Sequence, residues 1–189
     1  MLKTKERREL TEREKKLREY YWKCFIYEVS KMIIFLLLFM CLGLVGEYFI
    51  ALLTLMFLRS NGGGLHFNHY ITCLLVSFAF LYGSIFLAQN VIPPDYLLYT
   101  SIPLCMIAGY YLVPITSSNR PPATPEQVQR CKKKTTIILF CFFILICLCP
   151  HSTYLYVSYW TIVLHIMQLF AANLKERRRD HAGLGINKI

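Results

Sequence analysis

Residues 59 to 73 read "RSNGGGLHFNHYITC" and lie between two long apolar stretches. Fifteen positions hold an arginine, three consecutive glycines, two histidines and a cysteine, and these types together can perform nucleophilic catalysis. A cysteine side chain is mostly thiol at neutral pH, so an imidazole that takes or shares its proton makes the reactive thiolate available. Such a pair suits attack on a peptide carbonyl. Spacing bears on which histidine serves. On a helix, His66 and Cys73 share a face but sit about 10 Å apart along the axis at about 1.5 Å per residue, beyond hydrogen-bond reach. His66 therefore meets Cys73 only where the chain between them bends. His69, four residues before Cys73, is the natural helical neighbour, and spacing alone favours it.

Other readings stand beside this one. A histidine and a cysteine at the start of a membrane helix also serve as packing residues. The pattern H-x-x-H-x-x-x-C supplies three metal ligands but no visible fourth, so no metal is assigned. Gly62 to Gly64 make a turn, or present converging backbone amides as an oxyanion hole. Asn61, Asn68 and Glu47 are each able to orient an imidazole, and sequence distance does not choose among them. Arg59 is a charge at membrane depth and should have a partner: backbone carbonyls, Glu47 or a substrate carboxylate.

The elements that position this motif follow from composition and hydropathy. The chain has 189 residues, of which 56% are hydrophobic and 17% charged, a balance that points to a membrane protein rather than a soluble domain. Its eight cysteines lie mostly inside apolar runs and do not form a disulfide framework. No cofactor motif or nucleic-acid signature emerges, and no signal peptide is evident ahead of the charged N-terminus.

Residues 1–31 hold ten Lys/Arg and six Glu, and Leu10, Leu17, Tyr21 and Cys24 recur at helical spacing. Thr11 and Glu14 offer a capping box for a basic amphipathic helix at a lipid surface; a solvated charged helix fits the same pattern. From Met32 to Leu58 one charge, Glu47, interrupts 27 residues. That length exceeds the roughly 20 residues of one span and falls short of two ordinary ones. Spans are expected at Ile71 to Ala88, at Tyr96 to Val113 with an interruption at Pro103, at Thr135 to Cys149 and at Thr153 to Asn173. Residues 114–134 read as a polar, proline-rich, basic loop, and 174–189 as a basic tail.

All 21 Lys/Arg residues fall in 1–31, at Arg59, in 120–134 or in 175–188, while the turns at 89–95 and 150–152 have none. The positive-inside rule then puts the N-terminus, the glycine motif, the central loop and the tail on the cytoplasmic side. Parity favours 32–58 crossing twice or dipping and returning, as a helical hairpin hinged near "GLVGE", over one long tilted span with an external N-terminus. The expected architecture is a single all-α, polytopic membrane domain with about six membrane segments, the first two short or re-entrant. Gly43 and Gly46 permit close helix approach, without the GxxxG spacing.

Arg59, Gly63, Gly64, His66 and Cys73 together resemble the hallmark of the accessory gene regulator B (AgrB) proteins, membrane cysteine endopeptidases of Gram-positive quorum sensing. "YLVPITSSNRPPATPEQVQRCKKKT" (111–135) is similar to that family's central loop, and the order of hydropathy fits over essentially the whole chain. The resemblance implies a cell-membrane thiol protease of a Gram-positive bacterium. Such an enzyme cleaves the C-terminal tail from an AgrD-like propeptide and closes a thiolactone or lactone through an acyl-enzyme thioester. It assigns Cys73 as nucleophile and His66, not His69, as general base, so residues 64–69 should be non-helical or kinked. Family precedent suggests a homodimer. The propeptides' acidic tail would complement Arg130, Lys132, Lys133 and Lys134, although topology alone also asks for such a basic run. A reading from another class remains: a non-catalytic membrane carrier or scaffold for a small peptide, with the glycines as its hinge.

Overall fold

The structure, a computed structural model, describes residues 12–63, 69–113, 124–149 and 152–186. Six helices account for all the regular elements among the described residues: α1 Glu12–Cys41, α2 Val45–Gly62, α3 Tyr70–Asn90, α4 Asp95–Leu112, α5 Pro125–Leu148 and α6 Thr153–Ile186. The all-α expectation holds. Residues 1–43 and 44–189 are two compact units.

In the first unit, α1 runs unbroken through Met32 because nothing between Glu12 and Cys41 stops a helix: there is neither glycine nor proline. The basic segment and the first apolar segment are thus one helix, not two elements divided at residue 31. Thr11, the proposed cap, lies outside the described residues. Exposed Trp22, Phe25 and Tyr27 follow the basic stretch, the residue types that favour a membrane–water boundary. The helix ends at Gly43, whose φ of 70° is a left-handed conformation that costs an L-residue with a side chain about 1–2 kcal/mol. That break falls within the expected hinge.

The second unit is built around α6, which packs against α2, α3 and α4, while α5 packs against α4 and α2. At one end of the bundle Gly46, in the first turn of α2, lies beside Tyr154 in the first turn of α6: a Cβ there would come within 3.1 Å of the phenol oxygen. Nearby, Trp160 Nε1 donates to the carbonyl of Val91, just past α3, at 3.0 Å. At the opposite end Gly62, closing α2, lies against Val113, which closes α4, and Leu169 of α6. Helices α2 and α3 therefore meet at the same end of the bundle as the end of α4.

The interior is apolar, with Leu58, Ile85, Ile102, Leu139, Ile162 and Leu169 fully or almost fully buried. Two polar pairs join helices: Thr54 Oγ1 lies 3.1 Å from Ser158 Oγ, and Ser101 donates to the Tyr159 hydroxyl at 3.1 Å. The outside is also apolar, with Phe57, Leu75, Phe86, Leu104, Phe140 and Phe170 exposed. Contiguous outward apolar surface of this kind is what a lipid environment covers. Among the described residues two helical stretches, Tyr70–Asn90 and Thr153–Leu174, are long and apolar enough to cross a membrane.

Three boundaries differ from the sequence expectation. Helix α4 passes through Pro103 without ending, since flanking α5 and α6 hold it while one backbone hydrogen bond is lost. Helix α5 begins at Pro125, so the lysine run is helical rather than part of a loop. Thr124 caps it by a capping box: Gln127 N–H donates to Thr124 Oγ1 at 3.3 Å, and Thr124 N–H to Gln127 Oε1 at 3.1 Å. Pro125 occupies the first helical position, where its missing N–H is harmless. Finally, α6 carries on through "KERRRD" to Ile186.

Candidate functional site

The glycine-rich motif spans the break between two helices. Arg59 is in the last turn of α2, and its carbonyl accepts a hydrogen bond from the N–H of Gly63 at 3.2 Å. Gly63 has φ 77° and ψ −155°, a backbone region essentially reserved for glycine. Residues 64–68, which include Gly64, His66 and Asn68, lie outside the described residues. The chain re-enters regular structure at His69, which is extended (φ −102°, ψ 130°) and exposed. Helix α3 begins at Tyr70, and Cys73 N–H donates to the His69 carbonyl at 3.1 Å. Cys73 thus sits one turn into α3, which begins after the extended His69. His69 keeps its four-residue spacing but caps the helix through its backbone; its side chain makes no capping hydrogen bond.

Cys73 is half-buried and opens onto a recess between three helices. Leu55 and Arg59 of α2, Val76, Ser77 and Phe80 of α3, and Gln168 of α6 line it with Cys73. A thiol, a fixed cation, a hydroxyl and a carboxamide converge there on an otherwise apolar wall. Such an arrangement can hold a peptide carbonyl near sulfur and offer donors to its oxygen. All described cysteines are thiols rather than disulfides. Among the described residues no group of three His, Cys, Asp or Glu side chains could hold a metal.

Glu47 does not belong to this site. It lies in the first turn of α2, twelve residues from Arg59 on the same helix, a separation of about 18 Å at about 1.5 Å per residue. It is therefore neither Arg59's partner within the chain nor a plausible orienting group for a histidine near Cys73. The side chain of Asn61 is outside the described set.

The basic run splits in two on becoming helical. Arg130, Lys133 and Lys134 are exposed and, three and four residues apart, share one face of α5. Lys132 points the other way, with its Nζ 5.1 Å from the centre of the Tyr110 ring on α4, a cation–π contact.

The residue that sequence reasoning missed is on α6. His165 is fully buried, its Nδ1 has no hydrogen-bond partner, and its Nε2 lies 3.4 Å from where a Cβ on Gly62 would be. Its side-chain neighbours include Gln168, one turn further along, and the Arg59 guanidinium, which acts on it electrostatically. The signal was in the sequence: an ionisable residue in the middle of an apolar span is a functional candidate by default.

An all-helical protein with an apolar exterior, and with a cysteine, an arginine and a glycine-broken helix junction at one end, defines the class. The sequence matches the accessory gene regulator B family, AgrB, over residues 2–170, most of the chain, and the protein belongs to that family. No curated protein and no solved structure matches it. Membership places it in a membrane-protein family and is consistent with a role in processing an autoinducing peptide.

Proposed function

We propose that the protein is a membrane cysteine endopeptidase that matures an AgrD-like propeptide, with Cys73 as nucleophile and His66 as general base. The observation that carries this reading is the position of Cys73 one turn into α3, opening onto a polar recess shared with Arg59. The Cys73 thiol gives its proton to His66 as sulfur bonds to the scissile carbonyl carbon, and the carbonyl π pair moves to oxygen. The tetrahedral intermediate collapses by breaking the C–N bond, and the leaving amine of the tail takes the proton back from His66. A thiol or hydroxyl of the propeptide then attacks the resulting thioester, its proton passing through His66 to the departing Cys73 sulfur. The ring closes and the enzyme is restored.

Charge orients this chemistry. The ends of α2, α4 and α6 and the starts of α3 and α5 carry Arg59, the α5 cations and the tail, whereas the turns at the other end have no Lys or Arg. The reading puts the charged end in the cytoplasm, where a newly made propeptide is met, with about six membrane segments. The exposed Arg130, Lys133 and Lys134 face would then receive an acidic tail. Co-expression of Cys73→Ala with the propeptide tests the reading. The expected result is uncleaved propeptide, and a propeptide–protein thioester trapped on Cys73 of the wild-type chain. Cleavage that persists without the thiol, or transport without cleavage in the wild type, would instead favour a carrier.

A further inference from the structure

The tetrahedral intermediate formed at Cys73 carries a negative oxygen inside an apolar bundle, and that charge needs donors already in place. The recess that holds Cys73 contains such a donor on a different helix. Gln168 lines it from α6, is half-buried, and offers a carboxamide, which has two N–H donors and no charge to desolvate. Ser77 and Arg59 line the same wall.

A carboxamide helps an oxyanion only if its orientation is fixed, and the structure contains a group suited to fixing it. His165 sits three residues before Gln168 on α6, so the two side chains are neighbours on one helix face. Leaving a buried ring nitrogen without a hydrogen bond costs about 1–3 kcal/mol, so a His buried to 1% exposure with an unpartnered Nδ1 is an expensive group to keep for packing alone. The same imidazole is in contact range of Gly62, the last residue of α2. His165 therefore lies beside both Gln168, on the same helix face, and the end of α2 where the glycine break begins.

We propose that Gln168 donates a hydrogen bond to the oxyanion formed on attack by Cys73, and that His165 is the positioning residue that holds Gln168 toward the recess. The proposal rests on Cys73 being the nucleophile. The step changes no bond beyond those of the acylation above: as the sulfur–carbon bond forms and the π pair moves to oxygen, the Gln168 N–H shortens its contact to that oxygen and relaxes when the amine leaves.

The test uses the full chain in detergent with a synthetic AgrD-like propeptide, and compares Gln168→Met, Gln168→Glu, His165→Phe and the double variant His165→Phe/Gln168→Met. Gln168→Met keeps length and removes the donors; Gln168→Glu keeps shape and turns the donor end into an acceptor. Both should slow single-turnover acylation by about 100-fold, the usual scale for one oxyanion donor, with KM little changed. Alkylation of Cys73 by iodoacetamide, read by mass spectrometry of the Cys73 peptide, forms no oxyanion and should keep its wild-type rate in Gln168→Met, the uncharged variant. His165→Phe should slow acylation less, and the double variant should be no slower than Gln168→Met, because a residue acting only through Gln168 adds nothing once the carboxamide is gone.

Three results would overturn the proposal: wild-type acylation in both Gln168 variants, alkylation of Gln168→Met slowed in parallel with its acylation, or a double variant slower by the product of the two single effects. Cleavage persisting in Cys73→Ala would instead remove the peptidase reading itself, so the two failures are told apart.

Discussion

Replacing Gly63 by alanine should impair the enzyme far more than the same change one residue earlier. Gly63 closes α2 with φ 77° and ψ −155°, where a Cβ is not tolerated, and holding a side chain there costs about 1–3 kcal/mol. The backbone will relax away from that conformation, and residues 64–73 leave from it. If the working geometry is the strained one, its population falls by about 5- to 150-fold for that energy, and acylation falls with it. Gly62 offers the contrast. It is helical, and the nearest side-chain atoms a Cβ there would meet, on His165, Val113 and Leu169, lie at 3.4 to 3.8 Å, ordinary contact distances. Gly62→Ala should therefore keep activity within a few-fold and gain about 0.5–1 kcal/mol from the smaller conformational freedom of the unfolded chain. Single-turnover acylation of a synthetic propeptide and thermal unfolding in detergent separate the two effects. Equal activity in Gly63→Ala and wild type, with loss in Gly62→Ala, would refute the assignment of strain.

His69→Ala should preserve cleavage and leave α3 intact, because the exposed side chain caps nothing; loss of acylation without loss of fold would return the base role to His69. Lys133→Gln and Lys134→Gln should each raise the apparent KM for an acidic-tailed propeptide by about 1.5- to 5-fold at low salt, and less at high salt, as exposed charge pairs do. Lys132→Gln should change KM less and instead loosen the α4–α5 contact at Tyr110, visible as lower thermal stability in detergent. Thr124→Ala removes the capping box and should cost about 1 kcal/mol locally, read as amide exchange about 5-fold faster in the first turn of α5.

Much of the bundle was legible because it is written locally. The apolar runs gave α3, α4 and α6 to within a few residues at their starts, and the paired prolines marked the turn before Asp95. Gly43 announced the break after α1. What was missed locally was also written there: "TPEQ" is a capping box with proline at the first helical position, yet its setting among prolines and polar residues made 114–134 look like one loop. The consequence is functional, since a lysine run on a helix sorts its charges onto opposite faces.

The recess is different in kind. Arg59, Gly63 and Cys73 lie within fifteen residues, so the motif draws attention to one wall of the recess, but its far wall comes from α6, about a hundred residues later. Only packing decides which face of α6 meets Cys73. Periodicity cannot supply it here, because a helix with lipid on one side and protein on the other is apolar on both, and the usual contrast between a wet and a buried face is absent. Polar residues break that degeneracy. Lipid rejects them, so in an apolar span they report the protein-facing side: Ser158 meets Thr54, Thr161 bonds back to Val157, and His165 and Gln168 continue the same line toward the recess. Read as a series, Ser158, Thr161, His165 and Gln168 follow the three- and four-residue steps of one helical face. That face meets α2 beside Thr54 and reaches the recess at Gln168, so the same rule that places α6 in the bundle also identifies the side chain that confronts Cys73.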